Sequence, residues 1–583
     1  MHIPGAWDVR VHLPLLPSLS TLSDDILVDH VFVYLTVEDI LSLRTVSRLY
    51  YNLSHQGIIW KRFLQSLGYE APPLPPSTRY ALHSITSFEA ERLVTRALTL
   101  RQNWMSPEPV AKDLHCFRAY RQILSMVALP GGKHLVASVS NPDRNHFSLV
   151  VYVLDHRVGG VVPLAETPVK RKAYDLRVKY MTIEGVRSIV IAFNRRKFSK
   201  RYQKETTINP SSYNTLRNNP LYGIDSPAPF RYTCSCMQVP LDALDALADP
   251  RYPPGSMEFF EFARSQPPPF RLISLMRSTS ELGPIDLAEV QGRPCMAVVK
   301  KPRFIVFKDL SINGRISTLT CANTLPNSFD LPGPSQPSIP ILPGPPARDP
   351  EGLCNFAMFP IPPPGQDERY SYAPQSILNF RFRDIENVQI SDPNLLPVGN
   401  SSGPTQALPP PIHIFLRRSK GTELYHALIP PTPPAKFPFP SIFTPYYSLD
   451  NIRRMSAHTF SGVPADNRTE SPPLVQLYSH FVVPEDEVDD VFTQKDSPIR
   501  AIKRNIDVAR NTPIAKLITP QQLRSTMKQG VMAIAWDEGI GRIFFATSHD
   551  TRLYILDVAK APKEDKTGQR LPLPLEDERM LEL

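Results

Sequence analysis

The chain has 583 residues, a net charge of +9, 42% hydrophobic residues, 21% charged residues and 64 prolines. This composition excludes a wholly disordered chain and a membrane-embedded one, and the charge is too small to indicate a nucleic-acid-binding protein. Proline at about twice its usual frequency argues against a mostly helical protein, and the length predicts several structural units.

Residues 1–18 are predicted to be an N-terminal tail, because prolines and charges interrupt its apolar residues and exclude a signal peptide. The longest early apolar run, 26–35, is too short to span a membrane and contains Asp29 and His30. Six cysteines without a CxxC pair predict reduced thiols, not a disulfide framework or a zinc site. We therefore expect a cytoplasmic or nuclear protein without metal or cofactor.

Residues 19–70 predict a compact helical unit. Ser23 is placed to cap a first helix, and Thr36 with Asp39 resembles a capping box at the start of a second. A short last helix is predicted from Lys61 to Leu67. The first helix is apolar nearly all round, and about 45 residues cannot bury both of its sides. One face is therefore expected to be kept for a partner or another domain.

The order of motifs in this unit resembles an F-box. Leu22-Ser-Asp-Asp-Ile-Leu27 is similar to the family's opening Leu-Pro-x-Glu-[Ile/Leu]-Leu, with Ser23 where proline is usual. Asp39-Ile-Leu41, Arg44-Thr-Val-Ser47 and Ile59-Trp60-Lys-Arg-Phe63 follow in the family's order. The resemblance implies binding to a Skp-type adaptor and, through it, to a cullin–RING ubiquitin ligase. The adaptor-binding residues that it implies are Leu22, Ile26, Leu27, Val31, Leu35, Ile40, Leu41, Val46 and, as a closing anchor, Trp60. An unrelated three-helix bundle is the alternative.

Residues 71–117 are predicted to be a proline spacer and a linker helix. Four prolines between 72 and 76 form a stiff segment, and apolar spacing predicts a helix from Ser77 to Leu100. We expect this helix to connect the helical unit rigidly to the following domain, with a bare solvated helix as the alternative.

Between residues 118 and 560, short β-rich runs separated by turn signals replace the helical spacing. No helix is expected among them. The recurrence of strand triplets predicts a β-propeller of six or seven blades, with a two-sheet sandwich as the alternative. The predicted strands are Ile123–Leu129, His134–Ser140, Phe147–Leu154, Tyr180–Phe193 with a turn at Gly185, Gly292–Val299, Arg303–Leu310, Ile377–Phe382, Ile412–Leu416, Leu474–Val483, Val531–Trp536, Arg542–Ser548 and Leu553–Val558.

The segment Ser548-His-Asp-Thr-Arg-Leu-Tyr-Ile-Leu-Asp557 resembles the end of a WD repeat, with Leu556 where tryptophan is usual, and Leu149–Asp155 is a looser match. A propeller ring removes its exposed sheet edges by completing the last blade with a strand from the other end of the domain. We therefore expect the C-terminal triplet, Val531–Val558, to pair with a strand near Arg118–Leu124. Residues 561–583 are expected to be a tail.

Two proline-dense segments, 325–365 and 404–440, are predicted to be long loop insertions, with ligands for SH3 or WW modules as the alternative. The basic residues Arg195, Arg196, Lys197, Lys200 and Arg201 are expected on a loop. They form a candidate target-binding or nuclear-import segment, with a solvated loop as the bland alternative. The acidic run 485–490 is expected to be a solvated loop.

The sequence contains no catalytic motif with its proper spacing, which predicts a non-catalytic protein. The fold class is α+β multidomain, a small all-α F-box unit followed by a large all-β domain. The predicted function is substrate recognition in a Skp–cullin–F-box (SCF) ubiquitin ligase, with the propeller recruiting an unknown target protein. An F-box scaffold outside a ubiquitin ligase, and a propeller that binds a small ligand or acts as an enzyme, are the alternatives.

Overall fold

The computed structural model of the chain describes residues 22–67, 85–105, 110–143, 145–156, 160–199, 229–290, 292–301, 304–311, 314–321, 531–537, 539–547 and 550–562, with individual strands and isolated positions between 354 and 526. A small helical part comes first, and a large β-sheet-rich region follows. This order agrees with the predicted fold class. The β-rich region begins at Asp113, so the predicted boundary at residue 118 lies one strand too late.

The helical part starts with a short, irregular helix. Its elements are α1 (Asp24–Ile26), continued by a π-helical turn (Leu27–Val31) and a 3-10 turn (Phe32–Tyr34), then α2 (Val37–Leu43), α3 (Arg48–Leu53), α4 (Gly57–Ser66) and α5 (Ser87–Met105). The predicted capping box is confirmed, since the Asp39 N–H donates to Thr36 Oγ1 at 3.2 Å and the Thr36 N–H donates to Asp39 Oδ2 at 2.9 Å. Thr86 and Glu89 form a second such box at the start of α5.

Several details of the helical part differ from the sequence predictions. The last helix of the unit begins at Gly57 and not at Lys61, and it ends at Ser66. The Ser23 side chain makes no capping hydrogen bond. The apolar spacing from Ile40 to Leu53 is divided between α2 and α3, because Ser47 caps a new helix by accepting from the Tyr50 N–H at 3.3 Å. The linker helix begins at Ser87 and not at Ser77, because the capping box at Thr86 defines its start.

One core joins α5 to the helical unit. Ala90, Leu93 and Val94 of α5 pack with Leu27, Ile40 and Trp60, and Ile540 from the β-rich region enters the same core. The apolar face of α5 therefore completes the unit that the sequence analysis ended at residue 70. Its predicted role as a connector is confirmed by these shared contacts.

The described strands form seven sheets. The first strand of the region, β1 (Asp113–Arg118), belongs to the last sheet. Two four-stranded antiparallel sheets follow, β2 (Gln122–Ala128), β3 (His134–Ser140), β4 (Phe147–His156) and β5 (Gly160–Val169), then β6 (Tyr174–Ile183), β7 (Val186–Phe198), β8 (Phe230–Pro240) and β9 (Arg271–Ser278). The third sheet contains β10 (Leu282–Val290), β11 (Arg293–Lys300), β12 (Phe304–Asp309) and β13 (Ile316–Cys321).

Shorter strands follow between residues 354 and 478. β14 (Cys354–Met358) pairs with β16 (Ser376–Phe380), and β15 (Arg369–Tyr372) lies parallel to β13. One sheet contains β17 (Ile385–Ile390), β18 (Ile412–Arg418), β19 (Glu423–Ile429) and β20 (Thr444–Ser448). The last of these strands, β21 (Ser456–Phe460) and β22 (Gln476–Tyr478), form a pair. The two proline-dense segments are therefore not loops throughout, since β14, β18 and β19 occupy proline-free stretches within them.

The last sheet joins the two ends of the β-rich region. It has the strand order β1, β25 (Arg552–Asp557), β24 (Arg542–Thr547), β23 (Val531–Asp537). β1 pairs antiparallel with β25, from Asp113 opposite Asp557 to Arg118 opposite Arg552. The predicted pairing of the two ends is confirmed, although the strand concerned is 113–118 and not 118–124.

Neighbouring sheets pack face to face in chain order. β2–β4 share a core with the last sheet, the next core joins β2–β5 to β6–β8, and a third joins β6–β8 to the sheet of β10–β13. The first strands of these sheets, β23, β2, β6 and β10, lie beside one another in succession. Four sheets packed in such a series contradict the two-sheet sandwich, which has only two layers.

The expected absence of helices from the β-rich region is wrong. Two short helices, α6 (Leu241–Leu247) and α7 (Met257–Ser265), connect β8 to β9. Leu241, Leu244 and Leu247 of α6 lie at helical spacing and pack into the core between the first two sheets. The acidic run 485–490 lies outside the described residues.

Candidate functional site

The nine residues that the F-box resemblance assigns to the adaptor differ in their solvent exposure. Leu22, Ile26 and Val46 are 36%, 43% and 65% exposed. Val31, Leu35 and Leu41 are half-buried, and Leu27, Ile40 and Trp60 are buried. The last three pack in the core shared with α5. The burial of Trp60 agrees with its expected role as a closing anchor, and the assignment of Leu27 and Ile40 to direct adaptor contact is corrected to internal support.

Four further apolar residues of the helical unit are exposed, Val33, Tyr34, Tyr51 and Ile58. Val33 and Tyr34, at the end of the first helical segment, are 47% and 85% exposed. We refer to these two residues with Leu22, Ile26 and Val46 as the exposed apolar surface of the helical unit. The family motif does not include Val33 or Tyr34, but both belong to the all-round apolar run, which predicted that one face of the first helix is kept for a partner.

Trp60 anchors the interior behind that surface. Its indole Nε1–H donates to the Ser54 carbonyl oxygen at 2.7 Å, and the Arg44 guanidinium lies 5.2 Å from its ring centroid. Arg44 also donates to Ser54 Oγ at 2.8 Å and to Glu91 Oε1 at 2.6 Å. Because Glu91 is a buried residue of α5, this ion pair attaches the motif Arg44–Ser47 to the connecting helix.

A group of charged side chains attaches α5 to the last sheet. Arg96 of α5 donates through Nε to the Ile540 carbonyl oxygen at 2.5 Å and through Nη2 to Asp557 Oδ1. Arg542 donates to both Asp557 carboxylate oxygens, at 2.8 and 3.0 Å. A second carboxylate, Asp155, accepts from Arg542 at 3.1 Å and from Arg92. We name these residues the junction cluster: Arg92, Arg96, Asp155, Arg542 and Asp557.

The charges of the junction cluster compensate one another. Burial acts to raise the pKa of Asp155 and of Asp557, but the surrounding arginines outweigh it and hold both below the ordinary value. Burial, together with the positive charge of Arg542, lowers the pKa of Arg96 to about 10. Asp155 and Asp557 therefore remain ionised at neutral pH and stay paired with the arginines at the end of the WD-like segment.

Close backbone approach accompanies these ion pairs. Gly541 follows Ile540 with φ of +70°, and a Cβ at this position would collide with Leu100 of α5. Thr99 Oγ1 donates to the Lys560 carbonyl oxygen at 2.8 Å, and Asn103 Nδ2 donates to the Val558 carbonyl oxygen at 2.7 Å. The helical unit is thus fixed to the last sheet along the length of α5.

The basic run does not lie on a loop as expected. Arg195, Arg196 and Lys197 are part of β7, and Arg196 is buried. Lys197 is exposed and Arg195 is half-buried, whereas Arg196 points to the opposite face of the strand. Lys200 and Arg201 lie outside the described residues. The burial of Arg196 removes one of the five cations from an accessible run, and the use of the segment for target binding or nuclear import stays a prediction.

Two other kinds of site are absent from the described residues. Within them, no helix has the length and apolarity to cross a membrane, and no three His, Cys, Asp or Glu side chains are grouped to hold a metal ion. Cys116, Cys234, Cys236 and Cys295 are free thiols, as predicted, and the last three are buried.

Comparison with known proteins adds little. No protein-family model matches the chain, and no curated protein matches it. Among solved structures, it is similar to a chain of the crystal structure of the Chaetomium thermophilum polycomb repressive complex 2, with a TM-score of 0.33 and 9% identity over 78% of this chain and 98% of that chain. A chain of the same complex bound to GSK126 gives a TM-score of 0.32 and 8% identity over 77% of this chain and 98% of the other. Similarity at this level carries no argument for fold or function.

Proposed function

We propose that this chain is the substrate-recognition subunit of an SCF-type ubiquitin ligase. Its helical unit, an F-box, binds a Skp-type adaptor, and its β-rich region presents a target protein. The observation that carries the proposal is the exposed apolar surface, because the residues that the resemblance assigns to the adaptor include three that stay exposed after the unit has packed its own core.

We also propose that the sheets form a β-propeller. Support comes from the face-to-face packing of successive antiparallel sheets, the neighbouring first strands, and the pairing of β1 with β25, which joins the ends of the region. The seven sheets of the described strands fit a seven-bladed ring. Such a ring holds many loops on a rigid frame, which suits recognition of a protein target.

In this function the chain performs no chemistry of its own. It raises the local concentration of a target lysine near a charged ubiquitin-conjugating enzyme, so its contribution is proximity. Residence in the cytoplasm or nucleus, where such ligases act, belongs to the same proposal. The junction cluster has a role here, since a rigid connection between the adaptor-binding unit and the sheets fixes where the target is held.

Adaptor pull-down with the full-length chain tests the proposal. Leu22→Ala with Ile26→Ala should weaken adaptor binding roughly 30-fold or more, because each truncation removes about 1–2 kcal/mol of apolar contact at a partly exposed position. The matched control is Met257→Ala with Phe260→Ala, which truncates two exposed apolar residues of α7. Equal recovery of adaptor with both double variants would refute the assignment of this surface.

A second arm separates a ubiquitin ligase subunit from an F-box scaffold. The purified chain–adaptor complex is offered the cullin–RING core, and capture of the core by the wild type but not by the Leu22/Ile26 double variant is expected. Adaptor binding without capture of the core would favour the scaffold.

A further inference from the structure

Three short connections lie at one end of the packed sheets. Residues 119–121 join β1 to β2, 170–173 join β5 to β6, and 279–281 join β9 to β10. The register places the start of β2 level with the end of β5, and the start of β6 level with the end of β9. The three connections therefore lie on the same side of the sheets, together with the end of β7 and the starts of β8 and β25. We name these connections and strand ends the basic end.

Positive charge prevails at the basic end. Its exposed cations are Arg118, Lys170, Lys197, Arg231, Arg277 and Arg552. Two of its carboxylates already serve other cations, since Glu166 pairs with Arg121 at 2.5 Å and Glu281 pairs with Lys301 at 2.8 Å. Asp143 adds an exposed negative charge. The exposed cations of this end therefore outnumber the carboxylates that could neutralise them.

Two pairs of like charges lie directly opposite each other at this end. Lys197 of β7 faces Arg231 of β8, and Arg118 of β1 faces Arg552 of β25. Like charges in directly opposed positions of neighbouring strands are destabilising. Lys197, Arg231 and Arg118 form no ion pair with a carboxylate of the described residues. A polyanion bound across this end would relieve the repulsion within both pairs.

The cations at the other end of the sheets are paired. Lys133, in the turn between β2 and β3, pairs with Asp245 of α6 at 2.6 Å. Arg251 pairs with Asp249 at 2.6 Å in the connection between β8 and β9. The helical unit is attached at this other end, where Arg96 donates to the Ile540 carbonyl oxygen. The basic end is thus the side of the sheets that faces away from the helical unit.

An exposed tyrosine stands among the cations. Tyr120 lies between Arg118 and Arg121 in the connection from β1 to β2 and is 81% exposed. Its φ of 58° is in the left-handed region, which is strained for a bulky side chain, and such strain is concentrated at functional positions. The Ala119 N–H, which donates to the Thr551 carbonyl oxygen at 2.8 Å, fixes the preceding residue. Exposed aromatic rings beside cations are the combination that binds single-stranded nucleic acid.

We propose that the basic end binds single-stranded nucleic acid. The exposed cations lie along the phosphates, and the Tyr120 ring stacks on a base. An acidic protein segment would satisfy the cations but would offer no base to the ring, so Tyr120 favours the nucleic acid. This binding goes beyond the proposed ligase function and does not depend on the adaptor, because the helical unit lies at the other end.

Fluorescence anisotropy with the full-length protein tests the proposal. The probes are labelled single strands of mixed sequence, one of RNA and one of DNA, each about 16 nucleotides long. Both should bind at low salt, and the logarithm of the affinity should fall linearly with the logarithm of the sodium chloride concentration. The tighter of the two identifies the preferred sugar. No binding of either strand at about 50 mM salt would overturn the proposal.

Two variants and a control locate the binding. Lys197→Gln with Arg231→Gln should weaken binding and reduce the steepness of the salt dependence by about 1.4, because two phosphate contacts are lost. Tyr120→Asn keeps a residue that tolerates the left-handed region and should weaken binding roughly tenfold without reducing the salt dependence. The matched control is Lys133→Gln with Arg251→Gln at the other end, which should bind like the wild type.

Competition separates nucleic acid from an acidic protein partner. Unlabelled single strand should displace the probe at lower concentrations of charge than polyglutamate does. If polyglutamate competes equally well and Tyr120→Asn binds like the wild type, the basic end takes an acidic protein segment and the proposal is refuted. Thermal unfolding checks the variants, and the Lys197/Arg231 variant should have a midpoint no lower than the wild type because a like-charge pair is gone. Should that variant not fold, the comparison of Tyr120→Asn with the wild type decides.

Discussion

Replacement of Asp557 by asparagine should destabilise the contact between the helical unit and the sheets. Asp557 accepts hydrogen bonds from both Arg96 and Arg542, and its side chain is 9% exposed. Asparagine has nearly the same shape but carries no charge. The substitution therefore leaves two buried guanidinium groups with Asp155 as the remaining carboxylate of the junction cluster.

The size of the effect follows from what remains paired. Breaking a buried ion pair by removing one partner costs about 3–5 kcal/mol. Arg542 keeps its bond to Asp155, and Arg96 keeps the Ile540 carbonyl oxygen, so we expect the lower end, about 3 kcal/mol. In a β-rich region of this size, such a loss should lower the thermal midpoint by about 3–6 °C.

Thermal unfolding combined with a double-mutant cycle measures the contribution of the pair. Asp557→Asn, Arg96→Met and the double variant are compared, and a coupling of about 1.5–3 kcal/mol between the two side chains is expected. Asp249→Asn is the matched control, since Asp249 pairs with Arg251 on the surface and its loss should leave the midpoint unchanged.

The pH dependence provides an independent check. The pKa of Asp557 is lowered in the folded protein, so its stabilisation is present above the ordinary carboxyl pKa, about 3.9, and is lost as the pH falls below that value. The difference in midpoint between the wild type and Asp557→Asn should therefore shrink at acid pH. A variant as stable as the wild type at pH 7, or a difference that does not change with pH, would refute this account of the junction.

Two further predictions concern the last sheet. Burial raises the pKa of Asp537 to about 6, so the wild type should gain stability as the pH falls from 7 toward 5. Asp537→Asn should remove that gain and should raise the thermal midpoint at pH 7.5 by the equivalent of roughly 3 kcal/mol. A lower midpoint for the variant at this pH would contradict the prediction. Deletion of the chain from residue 531 onward removes the partner of β1 and should give aggregated protein in size-exclusion chromatography, whereas a soluble monomer would show that the pairing with β25 is dispensable.

The sequence predicted best those elements whose signals are local. His134–Ser140 has the predicted bounds because a short run rich in β-forming residues, with Leu135, Val136 and Val139, follows the turn signal Pro130-Gly-Gly132. The Thr36–Asp39 box is likewise a local signal, contained within four consecutive residues. α6 was missed because it follows Pro240, the last residue of β8, without a linker, and its leucines resemble the apolar residues of the surrounding strands.

The burial of individual side chains, where it depends on contacts with distant residues, could not be predicted. Arg196 looked like part of an exposed basic run because the rings that bury it, Tyr174 and Phe230, are separated from it by more than twenty residues. The motif identified Leu27, Ile40 and Trp60 but could not tell an outer surface from an inner core, since both are apolar. The α5 residues that settle the question lie in a segment that the motif does not cover.

The pairing of β1 with β25 has a consequence for biosynthesis. Asp113 is synthesised long before Asp557, the residue opposite it in the strand pair. At about 5–20 residues per second, the ribosome needs roughly 20–90 s to make the chain between them. Throughout this time β1 has an open edge, and the core of the helical unit lacks Ile540. A nascent or truncated chain therefore cannot complete the support behind its exposed apolar surface. Competence to engage a partner would then arise only after translation has passed the last sheet, and interrupted products would be left as substrates for chaperones and proteases.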